Sequence, residues 1–156
     1  MQNKKTFEIM RLSQKDLSTF KSLLNLFNMV FEEEERSIGS DAYLLKLLGN
    51  DQFITLVAVS QNEVLGGITA YELPMAYSDR SEIFLYDMAV KTEHQRTGVG
   101  KKLIQSLKEY CIKNKIETFF VMAHEEDGHA IEFYHATGGK SEKVVNFLYE
   151  VLEEKE

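Results

Sequence analysis

The sequence predicts an α/β protein whose elements run β-α-α-β-β-β-α-β-α-β, an order that gives a sheet of mixed direction. Two observations carry this. Segments with apolar residues at every second position alternate with segments of helical spacing. Three strand-like segments, 53–59, 64–73 and 81–90, also stand in succession at the centre of the chain, with no helical pattern between them.

Taken in order, Phe7 to Leu12 alternates as a first strand. Ser13 has the chemistry of an N-cap, and residues 14–31 carry Leu17, Phe20, Leu23, Leu24, Phe27 and Phe31 at helical spacing. The run Glu32 to Glu35 ends that helix in a charged loop. Ser40 caps a shorter helix with Tyr43, Leu44, Leu47 and Leu48, closed by Gly49-Asn50. Gln61-Asn62 joins the next two strands as a hairpin, and the single proline, Pro74, ends the second. A helix over 98–114 follows the third, then a strand from Thr118 to Ala123, a helix over 129–136, a Gly138-Gly139 stop and a last strand at 144–152. There is no repeat, linker or low-complexity tract, so residues 1–156 are expected to form a single domain.

Composition narrows the function classes. Hydrophobic residues make up 44% and charged residues 28%, an ordinary globular balance. No apolar run approaches the roughly 20 residues of a membrane helix, and MQNKKTFEIM holds no stretch of signal-peptide type. Cys111 is the only cysteine, which excludes an internal disulfide. Its helical neighbours Leu103, Ile104 and Leu107 make it a core residue rather than a nucleophile. Histidines 94, 124, 129 and 135 have no metal-ligand spacing, so no metal is expected. These features point to a soluble, reducing, cytoplasmic setting with no membrane partner. A net charge of −7 argues against nucleic acid, which requires a basic face.

The stretch HQRTGVGKKLI, from His94 to Ile104, carries the chemistry. Two glycines leave backbone N–H groups unshielded where a helix begins, and a helix start has four such groups without intrahelical partners. Such a place attracts phosphate. Two phosphate motifs fail on spacing. A Walker loop would need glycine where Gln95 stands, and a dinucleotide fingerprint would need a third glycine at Leu103 and a strand ending directly before Gly98. Gln95-Arg96-Thr97-Gly98-Val99-Gly100 after the strand FLYDMAV remains.

That hexapeptide resembles the Gln/Arg-x-x-Gly-x-Gly/Ala signature of the GNAT acetyltransferases. YDMAV is similar to the fourth strand of that family and AIEFYHATGGK to its second conserved segment. LGGITAYELP and SDAYLLKLLGNDQFI resemble the aminoglycoside 3-N-acetyltransferase type I branch. The resemblance covers nearly the whole chain. It implies a GNAT fold with a central twisted sheet of six to seven strands, about four flanking helices, and a cleft where the fourth and fifth strands splay apart. Acetyl-coenzyme A is the implied cofactor. Met88, Ala89 and Val90 would pair with its pantetheine arm, and the amides of Gln95, Arg96, Thr97, Gly98, Val99, Gly100 and Lys101 would hold its pyrophosphate. A homodimer is implied on the same ground.

Direct transfer from a thioester to an amine needs a base for the amine proton and a donor for the departing thiolate. Tyr134 matches the family tyrosine aimed at the sulfur. For the base, strict alternation sets Glu82, Phe84, Tyr86 and Met88 on one face of the strand, and Ile83, Leu85, Asp87 and Ala89 on the other. A carboxylate among apolar neighbours favours Asp87, whereas Glu82 shares the face of Met88. A bulge, common in this strand of the family, would shift the phase. Asp87, Glu82 and a water relay all stay open. Two acidic runs, Glu32-Glu33-Glu34-Glu35 and Glu125-Glu126-Asp127, would suit a small polycationic amine as acceptor. The expected reaction is acetylation of an aminoglycoside at its 3-amino group. The alternatives are another polyamine or peptide amine, and a non-catalytic acetyl-coenzyme A sensor.

Overall fold

The computed structural model describes residues 6–31 and 36–152. Their backbone falls into two compact units divided after Met122.

The first unit is a five-stranded sheet in the order β1-β2-β3-β4-β5, comprising β1 (Glu8–Arg11), β2 (Phe53–Ser60), β3 (Glu63–Pro74), β4 (Ser81–Val90) and β5 (Phe119–Val121). β1 to β4 are antiparallel neighbours, and β5 is parallel to β4. The Gln61-Asn62 hairpin forms as expected, with both residues at positive φ (50° and 63°), as a tight turn between twisted strands requires. Pro74 is the last residue of β3.

Helix α1 (Leu17–Val30) follows a short 3-10 turn, Gln14–Asp16, which Ser13 opens with a capping box against Asp16. Ser40 caps α2 (Asp41–Leu48) by accepting the Tyr43 N–H at 3.2 Å. Phe20, Leu23 and Phe27 of α1 and Leu44 and Leu48 of α2 pack with Phe53, Val57 and Ala89 of the sheet. Gly67 permits this approach, since a Cβ there would lie 2.6 Å from the Leu23 side chain. Ile54, Ile68, Ile83 and Leu85 are fully buried, as are Leu103 and Leu107 of α3 (Val99–Lys113), which packs on β2, β3 and β4.

The second unit contains α4 (Gly128–Ala136), capped by Asp127, whose Oδ1 accepts the Ala130 N–H at 3.1 Å. The helix stops as expected at Gly138, whose φ of 101° suits glycine. The strand expected at 144–152 is absent. This stretch is extended in neither a ladder nor a helix, and Val144, Val145, Phe147, Leu148 and Tyr149 are exposed. Strand propensity describes a fit to a pleated surface, and a ladder also needs a partner backbone. Five strands are therefore present among the described residues, against the six to seven expected.

Candidate active site

Where β4 ends, the chain makes a 3-10 turn, Thr92–His94, and then the glycine loop. Gln95 Nε2 donates to the Val90 carbonyl at 3.1 Å and ties the loop to the strand end. Thr97 Oγ1 donates to the His94 carbonyl. Arg96 (φ 59°) and Gly98 (φ 93°) both adopt left-handed backbone, which turns successive N–H groups toward one side. Gly98 is the N-cap of α3, and no side chain caps the helix there. A Cβ on Gly98 would meet nothing within 4 Å, so the space beside this glycine is open. Lys101 and Lys102 are exposed in the first turn. The site is built to accept an anion: unshielded amides, a positive helix end and nearby ammonium groups.

The sheet opens next to it. β5 pairs with β4 only at Ile83, Phe84 and Leu85, so among the described residues the β5-facing edge of β4 from Tyr86 to Val90 has no strand beside it in the register. An extended ligand could continue the ladder along Met88 and Val90. The donor set and the open edge together fit a pyrophosphate joined to a strand-like arm.

The bulge in β4 is present, and it corrects the expected faces. Asp87 lies opposite Thr69 and Leu85 opposite Ala70, leaving Tyr86 as the extra residue. Cross-strand partners share a face. Asp87 and Ala89 therefore join Glu82 and Phe84 on the face of Thr69 and Tyr71, whereas Met88 joins Ile83 and Leu85. Asp87 thus leaves the apolar side to which strict alternation assigns it.

On that face a cavity of about 250 Å³ is lined by α1, α2 and the sheet, with Thr69, Tyr71, Tyr86, Asp87 and Tyr43 on its wall. Thr69 Oγ1 donates to Asp87 Oδ2 at 2.6 Å. Phe20, Phe53, Tyr71 and Tyr86 form a chain of ring contacts 5.3–5.8 Å apart between centroids, running from α1 to the cavity wall. Burial, then the neighbouring Tyr43, Asp87 and Tyr86, raises the Tyr71 pKa above 10.0, so its phenol keeps its proton. Glu82 sits opposite Leu73, near the far end of the strand, and does not line the cavity.

Within the second unit, Tyr134 is half-buried on α4 and edge-on to Phe133 at 5.3 Å. Burial, and then Asp127, raises its pKa above 10.0, so it is a phenol with a proton to give at neutral pH. Glu125 and Glu126 are exposed, whereas Asp127 is occupied in capping α4. Glu32 to Glu35 lie outside the described residues.

Cys111 is buried in α3, and burial, then Glu72, pushes its thiol up to about 11, far from a nucleophile's range. Glu63, Glu93 and His94 bring ligand-type atoms within 4.8 Å of one another, a grouping that chain spacing does not reveal. Lys91 Nζ already holds Glu63 Oε1 at 2.9 Å, so an ammonium supplies the countercharge there.

Residues 20–138 match the profile of the acetyltransferase (GNAT) family. The chain belongs to this family. As a GNAT acetyltransferase it carries acetyl from acetyl-coenzyme A to an amine, in keeping with the open strand edge and the glycine loop. It is 38% identical to the aminoglycoside acetyltransferase meta-AAC0020 from an uncultured soil metagenomic sample, solved with trehalose, with a TM-score of 0.91 over 94% of this chain and 97% of that one. The same enzyme has been solved with sisomicin. A second soil-metagenome aminoglycoside acetyltransferase, HMB0005, is 34% identical, with a TM-score of 0.90 over 94% of this chain and 99% of that one. An uncharacterized N-acetyltransferase of Bacillus subtilis (strain 168), YhfO, is 21% identical over 123 residues, 79% of this chain and 83% of that protein. Among the described residues, this GNAT protein has no helix long and apolar enough to cross a membrane.

Sequence reasoning about this GNAT site misses Thr69, Tyr71 and Tyr43. Extending the hairpin register outward from Gln61-Asn62 would have paired Thr55 with Thr69 only after allowing for a second irregularity, between Ala58 and Val59.

Proposed function

We propose that the protein acetylates the 3-amino group of an aminoglycoside antibiotic, a resistance reaction of the type I 3-N branch, in the cytoplasm and as a homodimer. The observation that carries this reading is the cavity holding Asp87, on the strand whose far edge is open for the cofactor. It is supported by 34–38% identity, over nearly the full chain, to enzymes described as aminoglycoside acetyltransferases. The family match over 20–138 runs through the division after Met122, which supports a single transferase domain.

Acetyl-coenzyme A supplies the acetyl group as a thioester. The amides from Arg96 to Lys101 hold its pyrophosphate, with Gln95 fixing the loop, and the backbone of Met88, Ala89 and Val90 holds its arm. Asp87, rather than Glu82, accepts the amine proton, because Asp87 lines the cavity and Glu82 does not. Tyr134 Oη keeps the proton that the departing thiolate requires. Glu125 and Glu126, with Glu32 to Glu35, hold the acceptor's other ammonium groups.

A second reading is favoured by one observation. Among the described residues the cavity wall has seven aromatic side chains and a single carboxylate, Asp87, a lining that also suits an amine of lower charge with an apolar body. Thiol release from acetyl-coenzyme A, measured against aminoglycosides, polyamines and peptides, decides between them. Release with aminoglycosides, and a product acetylated at the 3-amino nitrogen by NMR, is the expected result. Tight cofactor binding with no release above background would leave a sensor.

A further inference from the structure

We infer that Thr69 is a positioning residue for Asp87: its hydroxyl engages one carboxylate oxygen and so presents the other to the acceptor nitrogen. This rests on the reading of Asp87 as the base.

Three observations carry it. The Thr69 Oγ1 to Asp87 Oδ2 distance, 2.6 Å, is that of a hydroxyl donating to an ionised carboxylate. Thr69 is only 4% exposed, and its β-branched side chain has little χ1 freedom, so the donor is held rigidly. The terminal torsion of an aspartate, by contrast, is broad, and without a partner the carboxylate would sample many orientations. Finally, the extra residue Tyr86 is what brings Asp87 opposite Thr69. Among the described residues no second hydrogen bond reaches this carboxylate. The next residue in the row, Thr55 on β2, is buried with its hydroxyl unpartnered, so it does not compete for Thr69.

The consequence for proton movement is specific. The acceptor nitrogen gives its proton to Oδ1, which the threonine leaves free, and Thr69 retains its own proton throughout. Thr69 does not touch the acceptor's reacting atom in this scheme. It acts through Asp87 alone.

A double-mutant cycle tests this with the full-length protein, acetyl-coenzyme A and an aminoglycoside. Thr69→Val keeps the shape and removes the hydroxyl, and Thr69→Ala serves if the valine variant folds poorly. We expect kcat to fall about 10- to 150-fold, the span of one hydrogen bond to a charged group. The cofactor affinity by calorimetry and the KM for the acceptor should stay close to the parent, while the melting temperature falls by several degrees, as the loss of one buried hydrogen bond requires. Thr69→Ser should restore kcat to within about threefold. In an Asp87→Asn background, Thr69→Val should cost nothing more. The inference is overturned if Thr69→Val keeps kcat while Asp87→Asn loses it, if serine fails to rescue, or if the losses simply multiply. If Asp87→Asn keeps full kcat, the base reading falls and the inference with it.

Discussion

Gly98→Val separates what the glycine loop does for folding from what it does for binding. Gly98 has φ 93° at the N-cap of α3, where an L-residue is strained, and its missing Cβ points into space with no atom within 4 Å. In the free protein the substitution therefore costs torsional strain and no clash. Left-handed backbone costs an L-residue roughly 1–2 kcal/mol, and for a chain of this length about 1 kcal/mol moves Tm by roughly 2–4 °C. A fall of about 2–8 °C follows. On the proposed reading, the added side chain would hold the pyrophosphate away from the loop amides. Losing one hydrogen bond to a charged group costs about 1.5–3 kcal/mol, which is about 10- to 150-fold in Kd. Calorimetry with coenzyme A, together with thermal unfolding, reads both numbers. A Kd within twofold of the parent, at a lowered Tm, would show that the phosphate does not sit at this loop.

Tyr134→Phe should lower turnover by about 10- to 10⁴-fold, the scale of general-acid contributions, with little change in cofactor affinity; intact turnover would assign the sulfur another donor. Burial raises the Tyr134 pKa above 10.0, so stability from its neutral form is fully present below pH 10 and is lost only as pH rises beyond it. No alkaline limb in kcat below pH 10 should therefore vanish in Tyr134→Phe. Neutralising Glu125 and Glu126 together with Glu32 to Glu35 should raise the acceptor KM and flatten its salt dependence while kcat holds, and a loss confined to kcat would reverse their assignment. Thr55→Val removes a buried hydroxyl with no partner among the described residues and should leave Tm equal or higher; a fall of several degrees would mean that the hydroxyl is satisfied after all.

What the sequence made legible was local. Ser13, Ser40 and Gln61-Asn62 each act within four residues of their own position, and each does in the structure what its chemistry predicts. Asp87 was harder, because its face depends on how many residues of β4 oppose β3, a property of two strands and not of one. The family resemblance allows a bulge in this strand without fixing its position at Tyr86, and the pair Thr69–Asp87 follows only from that position. The apolar pattern of 144–152 carries strand propensity without naming a partner, which is why the pattern and the observed backbone disagree. Asp127, whose charge suits an acceptor contact, also caps the first turn of α4 through Oδ1, a role its position before a helix could have shown.

The extra residue in β4 makes the carboxylate's address a matter of counting. Substitution at Tyr86 can change a ring on the cavity wall, but it leaves the count intact and Asp87 where it is. Deleting that one residue would leave Leu85 opposite Ala70 and Asp87 opposite Thr69, so the strand would regain regular pleating with the carboxylate still on the face of Thr69. What would go is the ring on the cavity wall and the local bend of the strand. Inserting a residue between Asp87 and the end of β4, by contrast, would put Asp87 and the edge at Met88 and Val90 out of step. A mutational scan that includes indels should therefore find the carboxylate's place tolerant of a single-codon deletion at Tyr86 and intolerant of an insertion just after Asp87.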